Sequence, residues 1–205
     1  MIDKESLIRG LYDLGAIRFG EFTLKSGAVS PVETDMSALI ARPALLRRIA
    51  HVFQAYAANL AFDRVAALPM SGLPLGLALS LNMDRPLIYT RPASMGGADE
   101  RYIEGIYKPG ETVILIDAVI EQGRGILETI QLLKAVRLQV NDVLVLVDRQ
   151  MGGVETLASK RCHVHSVLTL GEILDMLHQM RRMSTDQHRF VRAWLEEHTS
   201  GKHGA

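Results

Sequence analysis

Apolar and polar positions alternate between two periods along this chain. Short apolar runs at 65–68, 86–90, 113–116, 143–147 and 164–167 read as buried strands. Between them lie amphipathic stretches at helical spacing. Leu7, Ile8, Leu11 and Leu14 share one face of a first helix, capped by Asp3 and stopped by Gly15. Pro43 opens a long helix whose Leu45, Leu46, Ile49, Val52, Phe53 and Tyr56 lie together. Further helices are expected over 73–81, 125–136, 154–160, 171–183 and 187–197, and a short strand over 19–24. Strands alternating with helices predict an α/β fold, a parallel sheet covered by helices. Residues 1–199 read as a single domain and 200–205 as a disordered tail.

Ligands of such sheets sit outside the carboxyl ends of the strands, which directs attention to 113–127. There four apolar residues run into Asp117, a polar loop with Gly123 and Gly125 follows, and a helical pattern resumes at Ile126. Arg91 begins a small, polar, glycine-rich stretch, 91–101, expected as a mobile surface loop. A second strand–helix loop, Met70, Ser71 and Gly72, follows the run 65–68.

Composition narrows the function classes. Lys+Arg and Asp+Glu balance at 23 each, so nothing in the charge calls for nucleic acid or an anionic membrane. No apolar run reaches membrane-spanning length, and the first ten residues lack the apolar core of a signal peptide. A single cysteine, Cys162, forms no intramolecular disulfide and suits a reducing cytoplasm. His163 and His165 alternate onto one strand face, but no Cys/His pair stands at ligand spacing beside them, so no metal site is expected from them.

Besides the stretch 113–127, the chain carries in order Phe22 to Gly27, Ser30-Pro31, Asp35, Leu73-Pro74-Leu75, Glu104-Gly105, Lys108-Pro109-Gly110-Glu111, the run Leu146 to Arg149, Gly152-Gly153 and the run His165 to Leu170. This order of motifs resembles the type I phosphoribosyltransferases and, among them, the orotate phosphoribosyltransferase family, including the phosphoribosyltransferase half of the bifunctional UMP synthases. The likeness covers essentially the whole chain. The resemblance implies a parallel core with a small N-terminal hood, a homodimer, and transfer of orotate to phosphoribosyl pyrophosphate (PRPP) with Mg²⁺, giving orotidine 5′-monophosphate and pyrophosphate. It assigns Lys25 and Arg149 to the orotate side, and Ser71, Gly72, Arg91, Asp117, Gly123, Arg124 and Gly125 to the PRPP side.

The chain departs from that pattern where the chemistry is concentrated. The family's strand ends in two acids; here the second is Ala118. Its Thr-Thr-Gly-Gly-Ser phosphate loop reads Glu121, Gln122, Gly123, Arg124, Gly125. The loop lysines that neutralise departing pyrophosphate are absent from 92–100, so no catalytic residue is assigned. Glu33 stands where the family usually places an aromatic beside the base. Each retained residue keeps an ordinary reading too. Asp117 holds ribose hydroxyls or caps a loop. The two glycines serve the turn, Lys25 and Arg149 read the base or are solvated charges, and Arg124 is a compensating cation or a drifted surface residue. The alternatives are an enzyme whose activity is weak or lost, and an inactive binding or regulatory module.

Overall fold

The hydrophobic runs become strands of a central sheet. The computed structural model describes residues 3–23, 27, 29–91 and 102–199. Helix α1 (Lys4–Asp13) precedes a hairpin of β1 (Ile17–Thr23) and β2 (Val29–Thr34), then a 3₁₀ turn (Ser37–Ala41) and α2 (Pro43–Ala57). Next come β3 (Arg64–Ala67), α3 (Leu73–Met83), β4 (Leu87–Thr90) and the short β5 (Ile103–Glu104). The second half is β6 (Thr112–Ile120), α4 (Arg124–Ala135), β7 (Gln139–Asp148), α5 (Gly153–Ser159), β8 (His163–Thr169), α6 (Leu170–Gln179) and α7 (Thr185–Thr199). The sheet runs β5-β4-β3-β6-β7-β8, parallel throughout except for β5.

Successive residues of the central strands feed opposite cores, as the pleat requires. Ile114, Ile116, Leu144 and Leu146 join α1, α2, α3, α6 and α7 on one face. Val113, Leu115, Val143 and Val145 join α4 and α5 on the other. Both faces are dry, which is why β6 and β7 read as continuous apolar runs. The N-terminal hairpin stands apart from this sheet as the two-stranded pair β1-β2. Asp3 does cap α1, accepting from the Ser6 amide at 3.0 Å. Cys162 is buried, and burial pushes its thiol up to about 11, so it stays protonated at neutral pH. Among the described residues, no helix is long and apolar enough to cross a membrane.

One expectation is corrected. Asp117 does not end its strand: β6 continues to Ile120 because Ala118 and Ile120 are buried and β7 pairs alongside as far as Asp148. On the other side, β3 pairs with β6 only to Ile116. Asp117 is therefore the first residue of β6 to clear its neighbour, which opens one side of it to the cleft. The tail 200–205, Lys25 and the loop 92–101 lie outside the described residues.

Candidate active site

A cleft of about 1300 Å³ lies at the carboxyl ends of β3, β6 and β7. Seven of the residues singled out from the sequence line it: Ser71, Arg91, Asp117, Gly123, Arg124, Gly125 and Arg149. Gly72 backs it from within. A Cβ there would come within 2.1 Å of the Ile116 carbonyl oxygen, so only glycine lets the β3–α3 loop lie against β6. The same loop holds Met70 in the left-handed region (φ 67°) and leaves its side chain 80% exposed over the cleft.

Asp117 is buried, and its carboxylate is already engaged. Oδ1 accepts from the Ser71 hydroxyl at 2.6 Å and from the Ala118 amide at 2.7 Å. The β3–α3 loop and β6 are thus joined by a direct side-chain hydrogen bond. The loop after β6 turns at Gly123 (φ 77°), the N-cap of α4, with no side chain capping the helix. Arg124 is exposed at the first helical position and Gly125 follows, so the start of α4 borders the cleft. Arg91 pairs with Glu104 across β4 and β5.

Arg149 lines the cleft from a nearly enclosed position. It is 2% exposed. One terminal nitrogen donates to Glu121 Oε1 at 2.8 Å; the other donates to Ser30 Oγ at 3.0 Å and to the Val32 carbonyl at 3.1 Å. Its backbone amide donates to the Ile120 carbonyl, tying the ends of β6 and β7 together. Burial pulls the guanidinium below its ordinary pKa, while Glu121 and then Glu33 pull it back up. Among the described residues neither Nε nor Thr34 Oγ1 has a partner; both atoms are buried, and both residues line the cleft.

The described residues that line the cleft are net acidic. They include Glu33, Asp35, Asp117, Glu121 and Glu128 against Arg91, Arg124 and Arg149. Hydrogen bonds from the Ser37 backbone and then its side chain lower the Asp35 carboxyl below its usual pKa, so it stays ionised at neutral pH. Asp148, behind Arg149, is raised by burial, against the Gln150 amide that lowers it. No group of three or more His, Cys, Asp or Glu among the described residues could hold a metal ion.

Sequence reasoning found the loops and missed the pairing. Glu121 and Arg149 stand 28 residues apart on different loops, and nothing in either local pattern announces their contact. The one available signal was that Glu121 puts a new charge where the resemblance called for a hydroxyl. Thr34, Ile40, Tyr102 and Glu128 also escaped notice as lining residues.

No family model matches the chain. It is 36% identical over 194 residues to uridine 5′-monophosphate synthase of Bos taurus, covering 94% of this chain and 40% of that protein. It is 32% identical over 196 residues to orotate phosphoribosyltransferase of Caenorhabditis elegans, covering 95% and 86%. Among solved structures it matches UMP synthase of Leishmania donovani with a TM-score of 0.89 at 34% identity, covering 95% of this chain and 42% of that one. It matches orotate phosphoribosyltransferase of Aeropyrum pernix with a TM-score of 0.77 at 31% identity, covering 84% and 98%. The chain spans about 40% of the length of the UMP synthases and most of the single-function relatives. In sequence and in fold, the chain belongs to the orotate phosphoribosyltransferase family.

Proposed function

We propose that this chain is a phosphoribosyltransferase-fold protein of pyrimidine (UMP) biosynthesis in which turnover of orotate and PRPP to orotidine 5′-monophosphate and pyrophosphate is weak or lost. One observation carries the reading: Glu121, from the loop that should cup the 5′-phosphate, is bonded to Arg149, the arginine assigned to the base. A single carboxylate thereby disfavours both substrates. It sets a negative charge where a phosphate would dock, and it already occupies the cation an orotate would seek.

Other features point the same way. PRPP is polyanionic, and like charges lining a low-dielectric cleft repel it. Ala118 removes one acid of the pair. With the loop hydroxyls gone, backbone amides at the start of α4 and the exposed Arg124 remain to meet a phosphate. Removing one preorganised donor to a developing charge costs about 10²–10³ in rate, and several such groups are replaced here. Mg²⁺ enters this reading only as a companion of PRPP. A homodimer and a cytoplasmic setting, with neither nucleic acid nor membrane as partner, belong to the same proposal.

The second reading is an inactive binding or regulatory module. The cleft favours it, because residues the resemblance assigns still line it while the described lining carries more acids than bases. Orotate consumption with PRPP and Mg²⁺ tests the proposal. Turnover is expected at least about hundredfold below the ordinary enzyme range of roughly 1–10³ s⁻¹. A rate inside that range would overturn the reading. Calorimetry with Mg²⁺·PRPP separates the alternatives within it. Measurable affinity without turnover supports a module that still holds PRPP, and none supports one that has lost it.

A further inference from the structure

We propose that Glu121 is the specificity-determining residue of the cleft: as the internal counter-anion of Arg149, it turns a pocket for an anionic pyrimidine into one for an uncharged, carbonyl-bearing ring. The inference deepens the reading above and rests on the cleft surviving as a ligand site.

The argument begins with which partner faces the cleft. In the Glu121–Arg149 pair the guanidinium side chain is 2% exposed and the carboxylate 38%. A ligand entering from the cleft therefore meets Glu121 first. A carboxylate on that ligand would have to displace Glu121 from Arg149 and then leave it unpaired beside a second anion. Glu33 adds to the penalty, since its charge also acts on Arg149 and it lines the same cleft. Arg149 has little slack with which to respond. Its second terminal nitrogen is held by Ser30 Oγ and the Val32 carbonyl, on a strand whose residues Ser30 and Val32 are buried.

The same geometry leaves something for a neutral ring. Arg149 Nε–H and Thr34 Oγ1 are the two buried side-chain polar atoms without a partner among the described residues, and both belong to cleft-lining residues. Buried donors of this kind are normally satisfied. Both atoms are closed to solvent here, so a ring carbonyl reaches them only after a side-chain shift; a neutral ring still brings no net charge and need not break the ion pair. Exposed apolar side chains at Ile40 and Met70 line the cleft as well and suit the faces of an uncharged ring. Uracil and orotate differ by one carboxylate and so isolate the charge term.

The test is calorimetry of the full chain with uracil and with orotate, with and without PRPP. Wild type is compared with Glu121→Gln, which keeps an acceptor for Arg149 and removes the charge. Wild type is expected to bind uracil at least tenfold more tightly than orotate. In Glu121→Gln orotate should gain at least tenfold while uracil changes less than threefold. The double variant Glu121→Gln/Arg149→Ala should lose the gain. Melting curves check that the variants fold, and Glu121→Thr serves as a second charge-free variant. Wild type binding orotate as tightly as uracil, under either PRPP condition, overturns the proposal without needing a variant. An orotate affinity unchanged by Glu121→Gln and Glu121→Thr also overturns it, as does failure of both ligands to bind both proteins. Ordinary turnover of orotate by wild type would overturn both readings, whereas weak turnover with equal orotate and uracil affinity would overturn this one alone, so the two failures are distinguishable.

Discussion

At the scale of single residues, what decides an ion pair's worth here is how much water its partners keep. Arg64 and Glu111 make the most enclosed pair outside the cleft, with side chains 9% and 18% exposed. The carboxylate accepts two bonds from Arg64, at 2.7 and 2.6 Å, and one from the Lys108 amide at 2.7 Å. Arg64 also donates to the Ile106 carbonyl, so the pair clamps the segment before β6 onto the start of β3. The bond to Arg64, then that to Lys108, lowers the Glu111 pKa below its ordinary value. The folded state thus binds that proton less readily than the unfolded chain does. Its contribution is complete above the usual carboxylate range and is lost as pH falls through and below it. Glu111→Ala should cost about 1.5–3 kcal/mol at pH 7, the range for hydrogen bonds to charged groups. The difference from wild type should shrink in denaturant melts taken at progressively lower pH. A difference that persisted at pH 2 would assign the loss to packing and not to charge.

At the scale of elements, the loops that frame the cleft are fixed by backbone lying against backbone. Gly153, the first residue of α5, faces the β6–α4 loop so closely that a Cβ would come within 2.4 Å of the Glu121 carbonyl oxygen and 2.7 Å of Ile120 Cγ1. Helix propensity alone favours Gly153→Ala by up to about 1 kcal/mol. Against this stands a clash with backbone, which cannot rotate away. Overpacking of this kind costs about 1–3 kcal/mol, so the clash should win. We expect a lower melting temperature, by about 2–10 °C for a chain of this size. A melting temperature at or above wild type would show that the two loops separate easily. The sequence displayed the elements well where burial was two-sided: the runs at 65–68, 113–116 and 143–147 match strand cores, and Pro43 opens α2 as expected. It failed where local pattern carries little information. The two-residue β5 exists through its pairing with β4, and β6 outruns its apolar run because β7 lies beside it. The site was legible as a set of loops, since glycines and a strand-borne acid mark them. It was not legible as a set of bonds, since Glu121 meets Arg149 through the register of β6 on β7, which sets Ile120 beside Asp148.

At the scale of the whole molecule, α3 has too little cover for its composition. Its sequence, LPLGLALSLNM, contains no charged residue, and a helix apolar on every side belongs in an interior. Leu75 and Leu79 do face the core, yet Leu77 is 49% and Leu81 75% exposed. They stand four residues apart and so share the outer face of the helix. Met70, 80% exposed in the preceding loop, lies just before the helix begins. Water alone is a poor neighbour for such a stripe, and a second copy, as in the proposed homodimer, would cover it. Light scattering at micromolar concentration should give twice the mass of 22.7 kDa. Leu77→Glu/Leu81→Glu would place four carboxylates at an isologous contact, because each substitution occurs once in each protomer. That variant should run as a folded monomer with a melting temperature that no longer depends on concentration, since mass action then contributes nothing. A wild-type monomer would remove the dimer from the proposal, and a dimer that survives both substitutions would move its interface off α3.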